Sequence, residues 1–559
     1  MLLIGDSISI GYTPGVTRDL RGVAEVERIP GNAADTRNGV AGIDAWLGSK
    51  RWDVIHFNFG LHDLKVTPDG PHQVPLDQYE KNLAAILARL QKTGARLIFA
   101  TTTPVPEGKL NPPRRPSDAP LYNAAALRIM QSAAVRVNDL YGFALPRLEA
   151  IQRPANVHFT EAGSSALARR VAQSIRQTLD PPRDTKAWTR HPIDDSSIGA
   201  DGLRLRDVNG DDKEEIVTGW EEGGIVRAYL NPSRVGARSR WRPVTVGRVR
   251  DVEDAVFVDL DGDGRIDVVS SCEGEQRSMF VHWAPKNLDH YWDDEAWQTQ
   301  PIPVTQNLMR WMFSAPMQVD GKYGLDLIAA GKQQGGAIGW LQAPENPRDL
   351  AAWLWHPLRP AGWIMSVYTT DMDADGDLDI LFSDRYQERS GIYWLENPGR
   401  GMDQTKPWKE HTIGAVGLEA MFMDHADLDG DGVREVIAAI RPGQIHIYRR
   451  SGAAWKQQAI ALPDWAGTAK AVRVGDIDSD GVPDIVLSCE HADGNRSGLL
   501  WFSGKGGAWQ PRDISGPEGV KYDLVELVDL DLDGDLDVIT CEEVANLGVV
   551  WYENPGRHP

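Results

Sequence analysis

The hydrophobic rhythm of this chain changes near residue 181. Before that point, short apolar runs at 2–4, 24–29, 54–59 and 96–101 alternate with stretches of helical periodicity at 76–92, 119–137 and 161–178. A run of three to six apolar residues fits a strand covered on both faces. Its alternation with amphipathic helices predicts a parallel sheet in a three-layer α/β domain. That domain takes residues 1–180, and the Pro-containing stretch 181–186 reads as a linker.

From 187 to 559 the period is shorter and the pattern repeats. Asp-rich turns begin at Asp207, Asp259, Asp371, Asp427, Asp476 and Asp529, with a degenerate member at 319–326 filling the one wide gap. Each unit opens on a Trp-led strand, at Trp188, Trp241, Trp297, Trp353, Trp408, Trp455 and Trp509. An apolar strand then enters the Asp turn, a β-branched run such as Asp267-Val268-Val269 leaves it, and a last strand ends in sequences such as Trp394-Leu395-Glu396-Asn397-Pro398. Four strands in each of seven units predict a seven-bladed β-propeller, which protects sheet edges by radial repetition. The strand at 188–193 has no blade before it and the last unit stops at Trp551, so these two are expected to meet and close the ring.

The spacing inside the Asp turns adds chemistry. Asp371, Asp373, Asp375 and Asp379 occupy positions 1, 3, 5 and 9 of a loop with Gly376 at position 6. A hard cation of calcium's size takes six to eight oxygens from such a loop. The pattern recurs at Asp259/Asp261/Asp263/Asp267, Asp427/Asp429/Asp431/Glu435, Asp476/Asp478/Asp480/Asp484 and Asp529/Asp531/Asp533/Asp537, and more weakly at Asp207/Asn209/Asp211/Glu215. Four carboxylates packed together without a cation repel one another strongly at short range. Up to six structural Ca²⁺ ions are therefore expected. These units resemble the FG-GAP or VCBS calcium-binding propeller repeats over roughly 187–556, a resemblance that implies fold more than function.

Composition narrows the partners. The net charge of −21, from 59 basic and 80 acidic residues, argues against nucleic acid or an anionic membrane surface. No apolar run is long enough to span a bilayer. The chain opens directly on a core strand, which suggests a trimmed or mis-assigned leader. Cys272, Cys489 and Cys541 fall at one repeated position on different blades and read as small buried hydrophobes, not as disulfide partners.

Two stretches of the first domain carry candidate catalytic groups. Gly5-Asp6-Ser7 follows the first strand and precedes a helical stretch, which exposes the Ser7 hydroxyl at the carboxyl end of the sheet. His158, in Asn156-Val157-His158-Phe159-Thr160, precedes the last helix and can serve as base. Together these resemble the SGNH or GDSL-type hydrolases, a family of esterases that includes many carbohydrate deacetylases, over about 1–180. The resemblance implies a flavodoxin-like three-layer fold, Ser7 as nucleophile and His158 as base. It also implies an oxyanion hole from the Ser7 N–H and Gly31. The family's Gly-x-Asn-Asp block reads Gly60-Leu61-His62-Asp63 here, which puts His62 in the place of the oxyanion Asn. The Asp expected three residues before the catalytic His is Ala155, leaving Asn156, Asp63 or a propeller group to orient His158.

The ends of the propeller strands suggest a second site. Trp220-Glu221-Glu222, Cys272-Glu273, Lys332, Ser383-Asp384-Arg385, Arg441, Cys489-Glu490-His491 and Cys541-Glu542-Glu543 stand at equivalent positions, and Glu253, Asp254, His282 and Arg310 lie near them. Such a ring reads as a polar funnel for a glycan or its carboxylate. The leading expectation is a carbohydrate-active esterase of extracellular or periplasmic location, in which the propeller holds an acylated polysaccharide. A glycan-binding or cell-surface protein with a degenerate first domain is the first alternative. A lyase or glycosidase working in the funnel through His282, His491, Arg310 and Lys332 is the second.

Overall fold

The computed structural model describes residues 1–67, 70–133, 135–179, 187–399, 401–452, 454–507 and 509–556. The stretch read as a linker, 181–186, lies outside the described residues. The chain forms two compact units, the first of Met1–Arg183 with the short segments Asp493–Asn495 and Val544–Asn546, and the second of the remaining residues.

The first unit carries a five-stranded parallel sheet of β1 (Leu2–Ile4), β2 (Glu27–Arg28), β3 (Val54–Phe57), β4 (Arg96–Ala100) and β5 (Arg136–Asn138) in the order β2-β1-β3-β4-β5. This is the flavodoxin-like order. β1 and β3 are wholly buried; β1 is an unbroken apolar run, and β3 is interrupted only by the buried His56. Helices α1 (Ser7–Asp19), α2 (Thr36–Leu47), α3 (Leu76–Gln91) and α4 (Asp118–Ser132) and the helix Glu161–Leu179 cover the sheet. The helical reading of 119–137 overran. Val135 N–H closes the helix on the Met130 carbonyl, and the next residues leave to pair with β4 as β5. A three-residue strand has too few positions for its period to register in the sequence. Helix α2 was not foreseen either.

Seven four-stranded antiparallel sheets form the second unit. Their first strands, from Ala200–Arg206 to Tyr522–Val528, contact one another in turn around a closed ring. Each Trp-led strand is the outermost strand of the preceding blade, so the blades are offset from the sequence repeats by one strand. The ring closes as expected. β6 (Thr189–Asp194) lies antiparallel to Gly548–Glu553, with Arg190 opposite Tyr552 and His191 opposite Trp551. Indoles suit this repeated place because they bury a large apolar area while keeping one donor to satisfy. Trp241, Trp297, Trp353 and Trp408 are buried, and their Nε1–H groups donate to backbone carbonyls of Ala237, Tyr291, Pro347 and Gln404 at 2.8–3.1 Å.

Six residues before the first position of every Asp turn, which in the degenerate turn is Gln318, stands one residue of each first strand: Asp201, Glu253, Met312, Met365, Met421, Lys470 and Asp523. A β-bulge interrupts the ladder at this place in all seven strands. Bulges re-aim side chains. Apart from half-buried Glu253, all these residues are buried. Among the described residues no helix is long and apolar enough to cross a membrane.

Candidate functional site

Ser7 is the first residue of α1, at the carboxyl end of β1. Asp6 caps that helix by accepting the Ile8 N–H at 2.9 Å. An acidic cap suits the positive end of a helix, and it leaves the Ser7 hydroxyl free to turn outward. His158 Nε2 lies 3.0 Å from Ser7 Oγ. Its other ring nitrogen, Nδ1, lies 2.8 Å from Asn156 Oδ1. The backbone N–H of His158 also donates to that oxygen, at 2.9 Å, which fixes the orientation of the amide. An oxygen can only accept, so Nδ1 carries the proton and Nε2 presents its lone pair to Ser7 Oγ–H. The loop is held by Arg153 N–H to the His158 carbonyl at 3.0 Å and Thr160 N–H to the Ile151 carbonyl at 2.8 Å, and Ala155 supplies its left-handed turn with φ 48°.

Asp63 does not reach His158. Its carboxylate accepts from the Thr36 N–H at 2.9 Å and from the Thr36 hydroxyl, tying the block after β3 to the start of α2. Burial pushes its pKa up to about 7. Among the Asn156, Asp63 and propeller candidates for orienting His158, the partner at Nδ1 is Asn156.

His62 sits beside Lys65, whose Nζ is 2.8 Å from Nδ1. Burial holds His62 below its usual pKa, and Lys65 and Arg114 act in the same direction. A neutral ring accepting the ammonium proton at Nδ1 keeps its own proton on Nε2, so His62 is a donor, as the Asn it replaces would be. Gly31 takes φ 71°, a conformation that favours glycine. Among the described residues, neither its N–H nor that of Ser7 has a hydrogen-bond partner. Sequence reasoning missed Arg28. Its guanidinium donates to the carbonyls of Gly5 at 2.8 Å and Gly31, and to Ser9 Oγ at 3.1 Å, fastening the Ser7 turn to the Gly31 turn. It missed Arg114 as well, which donates to the Leu61 carbonyl at 2.8 Å. Both act through tertiary contacts that leave no local pattern.

In the second unit, the loops at Asp259, Asp371, Asp427 and Asp476 each bring three carboxylates to within 4.8 Å of one another. Buried oxygens of Asp259, Asp377, Asp478, Asp531 and Asp535 have no hydrogen-bond partner, as a donor set for a cation requires. The position-9 carboxylates do a second job. In the Asp371 loop, Asp379 accepts from Met372 N–H at 2.8 Å and Asn397 N–H at 2.7 Å, joining the loop to the exit of the third strand. Asp267, Asp484 and Asp537 repeat this clamp.

At position 5 the loops differ, since Asp263 stands in the trio of its loop. Asp431 is exposed and stands outside the trio of its loop, which is Asp427, Asp429 and Glu435. Its carboxylate accepts the Val433 N–H at 2.8 Å. Asp375 likewise falls outside the trio Asp371, Asp373 and Asp379, and accepts the Asp377 N–H at 3.1 Å. Asp533 is exposed and accepts the Asp535 N–H at 3.3 Å, while the buried unpartnered oxygens of that loop belong to Asp531 and Asp535. A carboxylate two residues before a free N–H closes an Asx turn on its own backbone, as Asp263 also does with the Arg265 N–H at 3.0 Å while standing in the trio of its loop, so shaping the loop leaves the second oxygen available.

The degenerate loop shows what replaces the acids. There Lys322 Nζ lies 3.0 Å from Asp320, and Gln318 Nε2 donates to the Lys322 and Gly324 carbonyls, so the chain supplies its own cation and donors. The loop at Asp207 is intermediate, with Lys213 at 2.9 Å from Asp211 and Asn209 donating to Glu215 at 3.3 Å. The Asp371 loop is the other extreme. Asp371 accepts backbone N–H groups of Ala374 at 2.7 Å and Gly376 at 3.0 Å, and no Lys or Arg pairs with the loop's carboxylates among the described residues.

The predicted funnel divides. Trp220 is core, its indole donating to Tyr229 at 3.0 Å. His282 is buried between Ser270 and Thr299, each at 2.9 Å, and burial lowers its pKa to about 3. Asp254 is buried against Arg204 at 3.0 Å, and Asp384 accepts from the Gly362 and Trp363 N–H groups at 2.9 and 2.8 Å. These four are framework. Strand-end residues alternate between faces, so position in the repeat alone did not say which way each pointed. Glu222 packs beside Gly199, and His491 occupies a left-handed turn with φ 52° after the strand Asp484–Glu490. Lys332 is buried between Glu253, at 3.7 Å, and Glu273, and lies 4.0 Å from the Trp363 ring, as does Arg385. Nearby, Asp201, Asp523 and Glu543 bring oxygens within 4.8 Å of one another, and Lys470 and Lys521 neutralise two of them. Asp201, Lys470, Lys521 and Asp523 were not foreseen, although their common offset from the Asp turns marks three of the four. Arg310 lines an open depression.

Residues 3–166 match the GDSL-like Lipase/Acylhydrolase family, and residues 427–487 match the FG-GAP-like repeat. No curated protein matches the chain. Similar solved structures include the acetyl xylan esterase AlAXEase, at 18% identity over 31% of this chain and 98% of that one, TM-score 0.28. A lipase/acylhydrolase from Enterococcus faecalis matches at 20% identity over 31% and 93%, TM-score 0.27. The acetylxylan esterase Axe2 from Geobacillus stearothermophilus matches at 20% identity over 31% and 92%, TM-score 0.27.

Proposed function

We propose that the first unit is a serine esterase that removes acetyl or similar acyl groups from a polysaccharide, and that the propeller is its calcium-stabilised, glycan-holding partner. The observation that carries this reading is the chain of contacts from Ser7 Oγ to His158 Nε2 at 3.0 Å and from His158 Nδ1 to Asn156 at 2.8 Å. Ser7 Oγ attacks the acyl carbonyl as Nε2 takes its proton. The Ser7 and Gly31 N–H groups and His62 Nε2–H receive the developing oxyanion. His158 returns the proton to the sugar oxygen as the acyl-oxygen bond breaks, leaving acyl-Ser7. Water then attacks the acyl group with His158 again as base, and Ser7 recovers its proton as the carboxylic acid departs. Asn156 supports the tautomer but brings no charge to the imidazolium, so the arrangement is weaker than one with a carboxylate.

Calcium would be held chiefly by the carboxylates at positions 1, 3 and 9 of the loops at Asp371, Asp427, Asp476 and Asp529, by Asp259, Asp261 and Asp263 in theirs, and least well at Asp207. Its chemistry there is charge neutralisation and cross-linking of strands, which suits an extracellular or periplasmic setting where calcium is plentiful. The test is acetate release from p-nitrophenyl acetate by the full chain and by Ser7→Ala. Hydrolysis that persists in the variant overturns the mechanism.

A further inference from the structure

Six of the seven bulge residues are buried, and the open depression considered next is lined by other residues. Arg277, Asn307, Leu308, Met309, Arg310 and the segment 333–335 line a depression of about 440 Å³ in the second unit, a volume within the range of small-ligand sites. Three separate segments build it, and each enters it through a left-handed residue that is not glycine: Arg277 at φ 39°, Asn307 at φ 57° and Gln333 at φ 61°. Such backbone is disfavoured and tends to gather at sites of function. Asn307 N–H donates to the Arg277 carbonyl at 2.8 Å, joining two of the segments.

The donors in this depression are unspent. Lys332, next door, is neutralised by Glu253 and Glu273. Arg310 is half-buried, yet among the described residues its guanidinium has neither a hydrogen bond nor an ion pair, and that of Arg277 makes only a long contact of 3.4 Å to the Gly274 carbonyl. No carboxylate lines the depression, although the chain carries 80 acidic residues against 59 basic ones. Asn307, Gln333 and Gln334 add amides that can both donate and accept, as sugar hydroxyls require, and Leu308, 44% exposed, offers an apolar surface for the face of a sugar ring.

We propose that this depression binds a carboxylated saccharide, with Arg310 and Arg277 holding the carboxylate of a uronic acid and the amides holding neighbouring hydroxyls. A planar guanidinium matches a carboxylate in two parallel hydrogen bonds, which gives the site its preference over a neutral sugar. The inference rests on the reading of the propeller as the glycan-holding unit and narrows it to one place and one charge.

Titration calorimetry of the full chain with α-1,4-linked trigalacturonate and with neutral α-1,4-linked galactotriose tests it. The acidic trimer is expected to bind at least about tenfold more tightly. Arg310→Ala and Arg277→Ala should each weaken it by about tenfold or more and erase the preference, at an unchanged thermal midpoint, and Arg310→Lys should recover only part because a lysine lacks the fork. Equal affinity for the two trimers, or undiminished binding by the double alanine variant, overturns the assignment. Retention of a neutral acetylated xylan by a chain that ignores trigalacturonate overturns this site alone. Failure to bind either overturns the wider reading of the propeller as well.

Discussion

The two units place chemistry in opposite ways. In the first, every reactive group occurs once and depends on contacts far apart in sequence, as Ser7 and His158 do across 151 positions. In the second, one acidic loop recurs around a ring, and the blade that lacks it carries Lys322 and Gln318 instead. The difference teaches where each unit is fragile. A single substitution can silence the first without loosening it, whereas the second can lose one loop and keep its form, but loses stability when all the loops are emptied together.

The strongest way to break that contrast is Ser7→Ala, expected to lower kcat/KM for p-nitrophenyl acetate by at least about 10³-fold while leaving the thermal midpoint in place. A rate within tenfold of the parent would remove the distinction. Asn156→Ala comes next, at about 10²-fold in kcat through loss of the tautomer support, and Asn156→Asp should equal or exceed the parent because a carboxylate also stabilises the imidazolium. Steady-state kinetics on both variants decides between an orienting Asn156 and an incidental one. On the other side, chelation should lower the thermal midpoint by more than about 5 °C, since ions bound only to the native state add stability by mass action. Calorimetry that finds no change refutes the calcium reading. The comparison sharpens within the propeller: Asp373→Ala should release one bound calcium by metal analysis, and Asp320→Ala none.

The smallest effect concerns pH. The Asp63 pKa is raised by burial to about 7 in the folded chain. A raised carboxyl pKa means the folded state binds the extra proton, so Asp63's contribution to stability is favourable at low pH and is lost as pH rises from about 4 to about 7. Asp63→Asn keeps an acceptor for Thr36 and removes the charge, so it should flatten that slope by a few kcal/mol at most. Denaturant titrations at pH 5 and pH 8 measure it, and an unchanged difference between the two would show that Asp63 is not responsible.

Much of this was legible because it was local. The Asp loops, the Trp-led strands and the meeting of 188–193 with the last unit follow from spacing within or between repeats. Spacing alone did not show that position-5 carboxylates such as Asp431 and Asp533 also close turns on their own backbone. The bulge residues were legible too, since Asp201, Lys470 and Asp523 share one offset from their Asp turns, but that offset falls where a strand's regular alternation is broken. Trp220 and His282 misled for a related reason: their polarity suggested solvent, while tertiary partners satisfy both inside the protein. The choice of Asn156 over Asp63 turned on which side chain lies within reach of Nδ1, a fact of three dimensions only.

The seam between β6 and the last blade also sets a schedule for biosynthesis. β6 leaves the ribosome first of all the propeller strands, yet its partner Gly548–Glu553 follows only about 350 residues later, a wait of tens of seconds at ordinary elongation rates. During that interval its hydrogen-bonding edges have no native partner, and such an edge invites pairing with the wrong chain. Its sequence, Thr189-Arg190-His191-Pro192-Ile193-Asp194, answers the hazard with a proline that cannot donate and with charged or ionisable neighbours. The strand that must wait longest thus carries a proline and polar neighbours, and the nascent chain reaches its closing step with that strand still available.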